Sequence, residues 1–247
     1  MSQPFLIRYL QPLIAGRRAE CFDLVHEAVR NEMPAEDLLC DVVWPAMAQI
    51  RRLYDDDRID AAIEHMACRI NRTVADQLQV HLPKQPVCGK RVLISSADAE
   101  GEELGAQMIG DLFQSSGWEV FFLGGGVPDD EVLSMVGQVR PQAYIIFGAQ
   151  PEAVANTRGL IERIRDVGVC PTMNVIVTGG IFNRADGLWQ EIGADAFSDH
   201  PRGVLQTANE LGPRKPNPPR LGIVKKRRRR RKNNTPAEAT PAEPTPA

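Results

Sequence analysis

The sequence predicts an α/β protein in which an N-terminal bundle of about four helices precedes a doubly wound sheet of five parallel strands. Two observations carry this prediction. Apolar residues recur every three to four positions through residues 1–82, as in amphipathic helices. From residue 91 onward, short β-branched or aromatic runs alternate with longer helical stretches, the pattern of a parallel sheet with helices on both faces.

The helical pattern is clearest in three stretches of the first 82 residues. Residues 19–33 place Phe22, Val25 and Val29 on one face, and residues 34–54 begin with a proline that suits a first helical turn. Residues 60–82 repeat apolar residues at the same spacing. We expect these stretches to form a helical domain over residues 1–82.

Five apolar runs predict the strands of the second domain, which we expect to follow a linker at residues 83–90 and to span residues 91–212. The runs are RVLISS (91–96), WEVFFLG (118–124), AYIIFG (143–148), NVIVTGG (174–180) and, at the sheet edge, ADAFSD (194–199). Helical patterns lie between them and after the last one, so each pair of strands has room for a crossover helix.

The C-terminal segment 213–247 is rich in proline and charge, and we expect it to be a disordered tail. Its run Lys225 to Lys232 carries eight positive charges. Leaving out this run, Glu238 and Glu243, the net charge of −3 becomes −9, so the body is acidic. The tail predicts salt-sensitive, non-specific nucleic-acid binding; a solubilising tail, or one folded back on the acidic body, stays open.

The sequence also argues against several classes of protein. No run of eighteen apolar residues indicates a membrane span, and the N-terminus lacks a signal-peptide pattern, so we expect a cytoplasmic protein. Five dispersed cysteines indicate reduced thiols, and four dispersed histidines indicate no metal cluster. No phosphate-binding loop or nucleophile elbow is present, and a homo-oligomer is left open.

The turn after the first predicted strand is unusually acidic. Glu100, Glu102 and Glu103 stand there together with two glycines, Gly101 and Gly105. Ligands of open α/β sheets bind at the carboxyl ends of the strands, where such turns gather. Further glycines, which let a backbone approach a ligand closely, follow the third and fourth predicted strands at Gly148, Gly179 and Gly180.

This turn resembles a motif of the cobalamin (B12)-binding domain family, which includes corrinoid methyltransferase modules and B12-dependent light-sensing transcription regulators. Residues 100–105, EGEELG, are similar to the family's Asp/Glu-x-His-x-x-Gly. The stretches 105–136, 175–183 and 193–205 are similar to later parts of the domain. Tyr54, nine further residues and then Glu64-His65 resemble the Trp-x9-Glu-His pattern of the sensors' helical cap.

The resemblance covers roughly residues 5–212 and implies a helical cap followed by a flavodoxin-like domain, with a corrinoid held between them. No catalytic residue and no metal ligand of the chain itself is implied. The implied cofactor-binding residues are Tyr54, Glu64, His65, Glu100, Glu102, Gly105, Gly148, Gly179 and Gly180.

One departure from the family bears directly on function, because Glu102 stands where the family has its cobalt-ligating histidine. A carboxylate is a harder and weaker ligand than imidazole for low-spin cobalt, and Glu100 would repel it. A first-turn glutamate is in any case favoured by the helix dipole, which we expect to be the role of Glu103. Gly148 or Ala149 also stands where the family has a serine or threonine that contacts the nucleotide tail.

We therefore expect a non-catalytic sensor or regulatory protein that binds cobalamin or a related tetrapyrrole without histidine ligation. Two alternatives stay open: a corrinoid carrier of a methyltransferase system, and a ligand-free interaction scaffold that uses the basic tail. An open cleft between cap and sheet distinguishes the ligand-binding hypotheses from the scaffold.

Overall fold

The computed structural model describes residues 2–98, 103–182 and 184–216. Glu100, Glu102 and the basic run Lys225 to Lys232 lie outside the described residues. The described residues belong to one compact unit. Among the described helices, none is both long and apolar enough to cross a bilayer.

The helical region has four helical stretches within residues 2–98, which confirms the predicted bundle. Its elements are α1 Ser2–Ile14, α2 Arg18–Arg30, α3 Ala35–Leu38, the π-helical segment Leu39–Val43, α4 Trp44–Asp55 and α5 Ala61–Gln79. The segment Leu39–Val43 joins α3 to α4 in one continuous stretch. Tyr9 and Leu13 of α1 are fully buried in a core that all four stretches share.

The π-helical segment has a cause in the sequence. Pro45 stands in the first turn of α4, and it has no backbone N–H to donate to Asp41 four residues earlier. In a regular α-helix its ring would also clash with the carbonyl of Asp41. The wider π-helical turn directly before α4 relieves this conflict.

The second region forms a five-stranded sheet in the order β2-β1-β3-β4-β5, with every pair parallel, as predicted. The strands are β1 Arg91–Ser96, β2 Glu119–Gly124, β3 Ala143–Phe147, β4 Asn174–Thr178 and β5 Ala196–Phe197. The helices are α6 Leu104–Ser115, α7 Asp129–Val139, α8 Glu152–Val167, α9 Leu188–Glu191 and α10 Pro201–Glu210. The sequence pattern did not predict the short helix α9.

The two faces of the sheet are covered by different helices. Tyr144, Ile146 and Val175 pack with α7 and α8, whereas Ile145 and Ile176 pack with α6 and α10. Alternate residues of a strand point to opposite faces, so each strand contributes to both cores. The strand order changes direction between β1 and β3, which is the position where such sheets place their ligands.

Helix α6 is apolar on two sides because it is buried on both. One side, including Ile109 and Phe113, packs on the sheet. The other side, including Met108 and Leu112, completes the core of the helical region. The helical region is thereby attached to the α6 face of the sheet.

Polar contacts accompany this packing between α5 and α6. Gln79 donates a hydrogen bond to Asp111 at 2.7 Å, and Gln107 donates one to Asp76 at 2.7 Å. The second carboxyl oxygen of Asp111 is buried and has no hydrogen-bond partner among the described residues. A carboxyl group without an ion-pair partner among the described residues is thus enclosed between two helices.

Arg202, at the start of α10, also connects the sheet region to the helical region, in addition to the packing between α5 and α6. Its guanidinium group donates to Glu36 at 2.9 Å, to Asp41 at 2.8 Å and to Asp37 at 2.5 Å. Burial works to lower the pKa of Arg202, but the hydrogen bond with Glu36 and the other carboxylates raise it overall. We call these four side chains the Arg202 cluster.

Candidate functional site

The candidate site is the carboxyl edge of the sheet, where the segments after β1, β3 and β4 meet. The side chain of Asp98, in the segment after β1, contacts the backbone of the segment after β3. Its carboxylate accepts hydrogen bonds from the backbone N–H groups of Ala149 at 2.6 Å and Gln150 at 3.1 Å. Sequence reasoning missed Asp98, although a polar residue directly after a buried strand is a signal for such a role.

Gly105 and the ring of Phe147 are in direct contact at this edge. A Cβ atom built on Gly105 would lie 2.3 Å from Cε2 of Phe147, which no real side chain tolerates. Phe147 is 6% exposed, and its ring meets the Trp44 ring edge-on at a centroid distance of 6.0 Å. Glycine at position 105 is therefore needed for an aromatic ring of the protein itself.

The other predicted glycines divide into two kinds. A Cβ atom on Gly148 would lie 2.8 Å from the Phe182 ring, and one on Gly179, where φ is +107°, would lie 2.1 Å from the carbonyl oxygen of Gly148. Gly180 has no atom within 4 Å of an added Cβ. The first two glycines thus permit close internal packing, whereas Gly180 is open. Their contact with a ligand stays a prediction.

The C-terminal end of α4 lies over this edge. Arg51 donates to the side chain of Gln150 at 3.0 Å, and Arg184 donates to Asp55 at 3.1 Å. The Arg51 guanidinium carbon is 5.6 Å from the centroid of the Tyr54 ring, which is 37% exposed. These contacts place Tyr54 next to a residue that touches the segment after β3.

Glu64 and His65, in the first turns of α5, contact each other at 3.7 Å. The Cys68 thiol donates to Glu64 at 3.1 Å, and the side chain of Glu64 is largely buried. The His65 side chain is 75% exposed. That these two residues face a ligand also stays a prediction.

Glu103 precedes α6 and has a more specific role than the favourable dipole interaction that we expected. Its carboxylate accepts a hydrogen bond from the backbone N–H of Gly125 at 3.1 Å. Arg72 of α5 lies 3.7 Å from its other oxygen. Glu103 therefore connects the start of α6 both to the segment after β2 and to the helical region.

A cavity of about 320 Å³ lies on the face of the sheet that α7 and α8 cover. It is at the position between β1 and β3 where the strand order changes direction. Ser95, Asp98, Asp129 and Thr157 are among its lining residues, and no lysine or arginine lines it. Thr157 is buried, and its hydroxyl has no partner among the described residues. This lining disfavours an anionic ligand.

The described residues contain no group of three or more His, Cys, Asp or Glu side chains that could hold a metal ion. The edge of the sheet does carry an unused polar group. Thr178, at the end of β4, is fully buried, and its hydroxyl has no hydrogen-bond partner in the described part of the chain. Strand alternation places Thr178 on the α6 face, where β4 pairs it with Phe147.

Replacing Thr178 with valine is expected to raise the free energy of unfolding by about 1 kcal/mol, because it removes a buried hydroxyl without changing the shape of the side chain. Urea denaturation of the ligand-free protein measures this change. Thr73→Val is the control, since the Thr73 hydroxyl donates to the carbonyl of Arg69 at 3.1 Å and gives no such gain. A Thr178→Val protein that is no more stable than the wild type would show that the hydroxyl has a partner.

Comparisons with known proteins agree with this architecture. A family model described as "B12 binding domain" matches residues 7–79. "Dimethylamine corrinoid protein 3" of Methanosarcina acetivorans is 21% identical over 81% of this chain and 92% of its own length. "Monomethylamine corrinoid protein 2" of the same organism is 22% identical over 79% of this chain and 92% of its own length.

Among solved structures, the fold matches that of the monomethylamine corrinoid protein of Methanosarcina barkeri. The TM-score is 0.77 at 15% identity, over 86% of this chain and all of the other. The match extends through both the helical region and the sheet. The B12-binding family model therefore matches the helical region of the chain, and the corrinoid-protein relatives are similar to it over both the helical region and the sheet.

Proposed function

We propose that the chain binds a corrinoid between the end of α4 and the carboxyl edge of the sheet, as a carrier component of a methyl-transfer system. The observation that carries this proposal is the relationship to corrinoid proteins over nearly their whole length. The contacts of Arg51 and Arg184 support it, because they hold the helical region over the edge at which α/β sheets bind ligands.

The sensor hypothesis drawn from the sequence is not supported by these relatives, which are named as methylamine corrinoid proteins. The carrier alternative fits them better. A role in transcription regulation has no support either, and none of the relatives reported above is named for binding nucleic acid. The nucleic-acid interaction of Lys225 to Lys232 therefore stays a prediction from charge alone.

The residues that would hold the corrinoid come from both sides of the proposed site. Tyr54, Glu64 and His65 belong to the helical region, and the sheet offers Glu100, Glu102, Gly105, Gly148, Gly179 and Gly180. When bound, the corrinoid would supply a cobalt centre able to accept and release a methyl group. The chain's own side chains bind and orient it, and Glu102 offers a carboxylate in place of an imidazole.

Replacing Glu102 with histidine is expected to tighten hydroxocobalamin binding about tenfold, because imidazole is the better cobalt ligand. The protein is titrated with hydroxocobalamin and followed by absorption spectroscopy, then desalted to measure retention. The spectrum of the variant is expected to shift towards that of an imidazole-ligated corrinoid.

Glu119→His provides the control, since Glu119 is exposed at the start of β2, away from the carboxyl edge. An unchanged spectrum and affinity in Glu102→His would contradict this position of the site. If neither the wild type nor the variant retains hydroxocobalamin or cobinamide, a corrinoid without the lower nucleotide, the proposed function itself is wrong.

A further inference from the structure

The ring of Phe147 occupies the space beside Gly105, in the first turn of α6 at the carboxyl edge of the sheet. It lies so close to Gly105 that no side chain atom fits between them. It is also held from the other side, since Trp44 of α4 packs edge-on against it. Phe147 is thus clamped between the first turn of α6 and the helical region.

Residues next to Phe147 also fill space at the carboxyl edge of the sheet. Phe182, which is almost fully buried, packs against Gly148 in the position directly after Phe147. Thr178 pairs with Phe147 across β3 and β4, and its buried hydroxyl is unused. An aromatic residue and a buried hydroxyl without a partner among the described residues therefore stand side by side on the α6 face.

Corrinoids differ in what they carry on their lower side. Cobalamin has a nucleotide that ends in a benzimidazole, whereas cobinamide has the same corrin ring without that nucleotide. A corrin ring that lies over the carboxyl edge presents its lower side to the sheet. A nucleotide on that side then needs space at the edge, and a tail-less corrinoid needs much less.

We infer that Phe147 is a specificity-determining residue that makes the site prefer corrinoids without a lower nucleotide. This inference rests on the proposed function. Its physical basis is steric: the ring fills the space beside Gly105, and Trp44 opposes its displacement. Even one methylene group more or less in a hydrophobic pocket changes the discrimination between two ligands by roughly 10- to 200-fold.

The test compares the affinities of the full chain for dicyanocobinamide and cyanocobalamin, each measured by isothermal titration calorimetry. The wild type is expected to bind dicyanocobinamide at least tenfold more tightly. Phe147→Leu is expected to raise the affinity for cyanocobalamin about tenfold while that for dicyanocobinamide changes less than threefold, because leucine leaves room beside Gly105. Thermal denaturation and circular dichroism verify that each variant is folded.

Phe113→Leu is the matched control, because Phe113 is a buried ring on the same face of the sheet but packs against Trp118 rather than at the carboxyl edge. It should leave the ratio of the two affinities unchanged. If Phe147→Leu does not fold, Phe147→Met replaces it, since a flexible thioether side chain fills the core at lower cost and can vacate the space.

Three results would overturn the inference. The first is a wild type that binds cyanocobalamin as tightly as dicyanocobinamide, and the second is an unchanged ratio in Phe147→Leu. The third is an equal change in Phe113→Leu, which would reflect general loosening of the core. In all three the proposed function survives, because corrinoid binding is observed. Binding of neither corrinoid to any variant would overturn the proposed function together with the inference.

Discussion

Replacing Arg202 with glutamine is expected to lower the free energy of unfolding by about 2 kcal/mol, the largest loss of stability that we predict for a single substitution in this protein. Arg202 is the shared partner of Glu36, Asp37 and Asp41, and all four side chains are more than half buried. Glutamine removes the positive charge and leaves three neighbouring carboxylates that repel one another.

Urea denaturation at pH 7 measures the effect, and the deficit should shrink in 1 M salt, which screens the repulsion. The control is Arg158→Gln, because Arg158 forms an exposed pair with Glu162 one helical turn away and should contribute only a few tenths of a kcal/mol. A deficit that is independent of salt, or equal to that of Arg158→Gln, would mean that the Arg202 cluster does not hold α10 to the helical region.

Replacing Asp111 with asparagine is expected to stabilise the protein by about 2 to 4 kcal/mol at pH 8 and to leave it nearly unchanged at pH 4.5. The pKa of Asp111 is raised to about 7, because burial raises it more than the hydrogen bond from Gln79 lowers it, and nearby Asp76 adds a smaller increase. The side chain is 7% exposed. In the unfolded chain an aspartate titrates near pH 4, with a pKa of about 3.9.

The direction of the pH dependence follows from these two values. Between about pH 4 and pH 7 the folded protein holds a proton on Asp111 that the unfolded chain has released, so stability falls as the pH rises through this window. Asparagine stays neutral and can still accept the hydrogen bond from Gln79. The wild type should therefore lose stability relative to Asp111→Asn from pH 4.5 upward, with the full difference above pH 7.

Melting temperatures of the two proteins between pH 4.5 and pH 8 give this comparison. Asp166→Asn serves as the control, because Asp166 is exposed on α8 and its replacement should shift the curve little at any pH. A difference between wild type and Asp111→Asn that does not grow with pH would contradict the assignment of a buried, protonated carboxyl group between α5 and α6.

The two predictions concern the same structural question, how the helical region is held on the sheet. Arg202 stabilises that contact through α10, and Asp111 weakens it through α6 at neutral pH. Both act outside the carboxyl edge, so neither replacement touches the residues proposed to contact a corrinoid. Their effects on folding can therefore be measured separately from corrinoid binding.

Local patterns in the sequence predict the secondary structure of this protein. The run RVLISS coincides with β1, and the apolar runs at 143–148 and 174–180 contain β3 and β4. A strand or an amphipathic helix requires only a repeating pattern among neighbours, which a single sequence displays. The resemblance of the acidic turn at residues 100–105 to a B12-binding motif was likewise visible in the sequence, because its residue types and spacing are local.

The tertiary structure alone decided what those local features contact. The absence of a Cβ atom at Gly105 indicates that something approaches closely, but only the fold shows that it is the ring of Phe147. The partners of Arg202 lie 161 to 166 residues away, beyond the reach of any periodic pattern. Such contacts arise when separate elements pack, so they depend on the relative positions of α3, α6, α10 and β3 rather than on the residues beside them in the chain.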